Sequence, residues 1–91
     1  MKTTFVGKKE VGIWWASAIT SVYGQKEITV ELCFDGKHKE FRATTSNMSD
    51  YDEACDFENV SERYFAFYNL IEDKIIDKVE EWIEEIEGDK Q

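Results

Sequence analysis

Cys33, His38 and Cys55 are the residues of this 91-residue chain with nucleophilic or metal-binding chemistry, and a thiolate beside an imidazole is the simplest catalytic pair they offer. On a hairpin that turns at Asp35-Gly36, Cys33 and His38 stand opposite each other. The sequence supplies that pair with neither an oxyanion hole nor an orienting acid, and a one-residue change in the turn sets His38 opposite Asp35 instead. A plain surface histidine is therefore expected. Nor do the three side chains have the paired spacing of a zinc site. Asp50, Asp52 and Asp56 in "DYDEACDFE" superficially suggest a calcium loop, but the central glycine and the terminal glutamate at the required offset are missing. The expectation is a non-enzymatic protein with no metal and no cofactor.

Carboxylates are the more telling chemistry. The segment "KVEEWIEEIEGDK" packs Glu80, Glu81, Glu84, Glu85, Glu87 and Asp89 around Trp82, Ile83 and Ile86. On a helix, Asp73, Asp77, Glu80, Glu81, Glu84 and Glu87 share the face opposite Ile75, Val79 and Trp82. Like charges four residues apart, such as Asp73 with Asp77 and Glu80 with Glu84, each cost a few tenths of a kcal/mol. Carboxylates in the last turns also oppose the helix dipole. Lys74 and Lys78 are placed to relieve part of this repulsion. Two readings follow: a solvated face that keeps the protein soluble, or, together with Asp50, Asp52, Glu53, Asp56 and Glu58, a phosphate-like surface that occupies a basic nucleic-acid groove.

The charge is strongly polarised along the chain. Residues 1–45 hold seven basic and five acidic side chains, and residues 46–91 hold four and fifteen, so the second half carries −11 of a net −9. Such a field repels nucleic acid and anionic membrane and attracts basic surfaces. The expected partner is a basic nucleic-acid-binding protein, a nuclease or an effector complex, with no direct binding to nucleic acid or membrane. Carboxylates would set the on-rate and salt dependence, and apolar anchors such as Trp14 or Trp82 the residence time. The alternative is a regulatory or structural interaction module, a homodimer formed through surplus aromatic surface.

Small size, acidity and an α+β pattern together are similar to phage and mobile-element proteins that inhibit host defence nucleases or glycosylases as DNA mimics, anti-CRISPR proteins among them. That likeness implies an inhibitor of anti-defence type; it rests on general character and assigns no residue a role.

The elements that must position these groups read as one domain over residues 1–91, of the α+β class. Ile28, Val30, Leu32 and Phe34 alternate with polar neighbours, and Phe41 and Ala43 resume the alternation after the turn. This gives a hairpin over 27–44 in which Val30 faces Phe41 and Ile28 faces Ala43. A short strand over residues 3 to 6 joins it. Val11, Trp14, Trp15, Ala18, Ile19 and Val22 recur at helical spacing, so a first helix is expected at 11–22, ending at Gly24. The competing reading there is a strand, given the β-propensity of Ile13, Trp15, Ile19 and Val22 and the presence of Gly12. On a helix Trp14 and Trp15 cannot both point inward, which leaves one as an exposed interface residue.

An acidic connector follows, with Ser46 or Ser49 as N-cap of a short helix. Asn59 then caps a long amphipathic helix ended by Gly88, about 40 Å in length and packed against the sheet. Glu72 interrupts any heptad register. No apolar run approaches transmembrane length, the N-terminus has no signal-peptide core, and two cysteines are few, so a cytoplasmic protein with reduced thiols is expected.

Overall fold

The computed structural model describes residues 1–20 and 23–89. Four strands, β1 (Lys2–Val6), β2 (Lys9–Thr20), β3 (Lys26–Phe34) and β4 (Lys37–Thr45), precede α1 (Met48–Cys55) and α2 (Val60–Gly88). The strands form an antiparallel meander in the order β1-β2-β3-β4, and both helices lie on one side of it. The fold is α+β.

The β3–β4 hairpin has the register its alternation requires. Val30 pairs with Phe41, Ile28 with Ala43 and Cys33 with His38. Asp35 and Gly36 both have positive φ, 54° and 75°, which is the backbone of a two-residue type I′ turn. Gly7 supplies the positive φ that the tight β1–β2 turn needs.

The helix expected at 11–22 does not form. Residues 9–20 are β2, while Ser21 and Val22 lie outside the described residues. The helix-like spacing has a specific cause: Ile13 pairs with Leu32 and Trp15 with Glu31, so Trp14 is an extra residue in a β-bulge. Before the bulge, Val11 and Ile13 face the core; after it, Ala16 and Ala18 do. One inserted residue turns a spacing of two into three and imitates helical periodicity. Gly24, expected as a helix cap, lies instead in the β2–β3 connection with φ 77°.

The N-cap of α1 is Asn47 rather than Ser46 or Ser49, its Oδ1 accepting from the Asp50 amide at 3.1 Å. Asn59 caps α2 by accepting from the Glu62 amide at 3.0 Å. With 29 residues, α2 is about 43 Å long, equal to the 44 Å long dimension of the molecule. The sheet covers its central and C-terminal turns, and α1 packs on its N-terminal part through Ala54 and a ring contact between Tyr51 and Phe67. Val11, Ile13, Ile28, Val30 and Leu32 from the sheet meet Tyr68, Ile71, Ile75 and Val79 from α2 in the centre of the core.

Candidate functional site

The outer face of α2 keeps its carboxylates in water. Asp73, Asp77, Glu80, Glu81 and Glu84 are all exposed, and none makes an ion pair among the described residues. Lys74 does not relieve them, because its ammonium turns toward the sheet and donates to the Thr44 carbonyl. Lys78 lines a shallow cleft with Glu81, Glu85 and residues 39–42 of β4. Asp50, Asp52, Glu53 and Asp56 are exposed on and just after α1, so both helices present acid to solvent. Asp50 and Glu53 also line a second cleft with Glu62, where α1 meets α2.

Glu87 differs from the rest of the ridge. It is half-buried and pairs with Lys9 at 2.8 Å, tying the last turn of α2 to the start of β2. Trp82 is no anchor either: it is buried between Phe34 and Phe41, with ring centroids 6.4 and 5.7 Å away.

Trp14 is 55% exposed, but it does not join the carboxylates. Its ring meets His38 on the opposite side of the sheet, where outward-facing Glu31 and Cys33 also lie. Phe5, 65% exposed, Trp15 and Ile19, 63% exposed, lie on the same uncovered face by register. The side chain of Met1 lies on it against Gly12. Phe5 and Ile19 were not legible as surface residues, because the bulge that turns Ile19 outward has no signature of its own in the sequence.

The hairpin does provide one group that sequence reasoning missed, a carboxylate on the histidine: His38 Nδ1 donates to Glu31 Oε2 at 3.0 Å. Cys33 makes no hydrogen bond to His38 among the described residues, so the pair lacks the contact that thiol activation requires. Cys55 lies on α1 beside Tyr51, and burial, with the nearby Cys55 thiol, raises the pKa of that phenol. No group of three or more His, Cys, Asp or Glu side chains among the described residues could hold a metal ion.

The molecule thus has two unlike surfaces, an acidic helical layer and a sheet face on which exposed Phe5, Trp14, Trp15 and Ile19 lie among charged side chains such as Glu27, Glu31, Glu40 and Arg42. No protein-family model, no curated protein and no solved structure matches the chain. No helix among the described residues is long and apolar enough to cross a membrane.

Proposed function

We propose that this chain is a non-enzymatic acidic binding protein that blocks a basic, nucleic-acid-binding protein, such as a nuclease or effector complex, by presenting carboxylates where the partner expects phosphates. The observation that carries the reading is the unpaired, exposed row Asp73, Asp77, Glu80, Glu81 and Glu84 on α2. Successive turns place these groups about 5.4 Å apart, of the same order as the charge spacing along a nucleic-acid strand. A groove built to displace counterions from phosphates accepts carboxylates for the same reason. Asp50, Asp52, Glu53 and Asp56 on the α1 side extend the surface. An inhibitor of phage or mobile-element origin, acting in the cytoplasm with Cys33 and Cys55 reduced, belongs to this proposal.

The test is capture of partners from a cell lysate at low and moderately high salt, with identification by mass spectrometry. A nucleic-acid enzyme held at low salt and released at high salt is expected. The triple reversal Glu80→Lys, Glu81→Lys, Glu84→Lys should fold normally and lose that partner. A partner indifferent to salt and to the reversal would overturn the assignment.

A second reading rests on Phe5, Trp14 and Ile19, large apolar side chains open to solvent on the uncovered side of the sheet. In that reading the protein is an interaction module that meets its partner through the sheet, and the acidic face serves solubility.

A further inference from the structure

β2 is longer than the strand beside it. β1 pairs only with Lys9–Ile13, and among the described residues no backbone group pairs with Trp14–Thr20 on that side. Seven residues, about 23 Å of strand, present an open edge. Natural edges are blunted by charge, proline or brevity. β4, the opposite edge, follows that rule with Lys37, His38, Lys39, Glu40 and Arg42. The β2 overhang, "WWASAIT", does not, and it lies within a run without a charged side chain from residue 11 to residue 25.

We infer that this edge pairs with the same edge of a second copy, β2 against β2 in antiparallel register about Ser17. Two features single out a copy of the chain as the occupant. The first is self-complementarity. With Ser17 opposite Ser17, Trp15 on the outer face meets Ile19 of the second copy, an aromatic and β-branched pair of the kind that stabilises sheets. On the inner face Ala16 meets Ala18, and two small side chains leave the helical layers room. The overhang is also centred on Ser17, so each copy fills the gap left by the short β1 of the other without overrunning it.

The second feature is charge. Each copy carries −9, with the excess in the helical half, so two copies repel where their helical layers would meet. The β2 overhang carries no charged side chain, so two copies meet there without opposing carboxylates. The two-fold axis stands perpendicular to the sheet, so both pairs of helices lie on the same side. This inference is independent of what the acidic ridge binds.

The experiment is sedimentation equilibrium of the full chain across a concentration series. The expected species has twice the 10.7 kDa chain mass, and its association tightens as salt screens the repulsion, opposite to the salt response of a phosphate mimic on its target. Ser17→Lys places two like charges face to face and should give a monomer with an unchanged far-ultraviolet spectrum. A register-specific check is Ser17→Cys with Cys33 and Cys55 replaced by serine: mild oxidation should link two chains at Cys-for-Ser17, whereas Thr20→Cys in the same background should not link. A wild-type monomer at every concentration, or a dimer that tolerates Ser17→Lys and does not crosslink through position 17, overturns the proposal. A monomer whose edge captures a different, basic peptide overturns it as well.

Discussion

The indole of Trp14 meets the imidazole of His38 edge-on, with centroids 5.0 Å apart and planes at 87°, while Nδ1 of the same ring donates to Glu31 at 3.0 Å. Three strands are joined on the uncovered face by this chain of contacts. Its energetic weight is small, because Trp14 is more than half exposed and gains mainly one aromatic contact. Trp14→Ala should therefore cost about 1 kcal/mol in urea unfolding, with the fold retained. A loss several times larger would mean that the indole carries core packing.

Trp82 should behave in the opposite way. It fills the space between α2 and the β3–β4 hairpin against Phe34 and Phe41. Truncation to alanine removes a large buried ring and should cost roughly 3–5 kcal/mol, a large share of the stability of a domain this size. Thermal denaturation followed by circular dichroism distinguishes this from the mild effect at Trp14.

Tyr68 offers a pH-dependent prediction. Its side chain is fully buried, its hydroxyl has no hydrogen-bond partner among the described residues, and burial first, then the negative charge of Glu72, raises its pKa above the ordinary phenol value. The folded state thus holds the proton more tightly than the unfolded state. Its contribution is complete below the unfolded pKa, near 10, and is lost as pH rises beyond it. Urea midpoints at about pH 8 and about pH 11 should fall steeply for the wild type and less for Tyr68→Phe. At neutral pH that variant, freed of an unpartnered buried hydroxyl, should be unchanged or more stable by up to about 1 kcal/mol.

The acidic ridge should be a net cost to the fold. Asp77 faces like charges one turn away on both sides, at Asp73 and Glu81, with no ion pair in compensation among the described residues. Asp77→Asn should raise stability by roughly 0.5 kcal/mol at low salt. Midpoints measured with and without added salt should converge as screening removes the repulsion.

The parts of the fold legible in the sequence are those where one local rule acts alone. Alternation from Ile28 to Phe34 and the Asp35-Gly36 turn define the hairpin down to its pairings, and Asn59 with the spacing of its apolar residues defines α2. β2 was hidden because the bulge at Trp14 superimposes a spacing of three on a period of two, and only the partner strand reveals which residue is extra. The acidic surface was legible from residue type and helical phase. The separation of Trp14 from that surface was not, since it depends on which side of the sheet the helices cover, and the burial of Trp82 was not, because its neighbours Phe34 and Phe41 are distant in sequence.

The chain order of the elements bears on how the protein is made. All four strands precede α2, and the apolar side of the sheet finds its main cover in that last helix. A growing chain therefore displays Val11, Ile13, Ile28, Val30 and Leu32 before anything can shield them, and a four-stranded meander with a bare hydrophobic side is poorly stable and prone to associate. Commitment to the native state must wait until α2 has left the ribosome. Nascent chains stalled before residue 60 should accordingly be sensitive to protease and dependent on chaperones, and release of the helix should abolish both dependencies together.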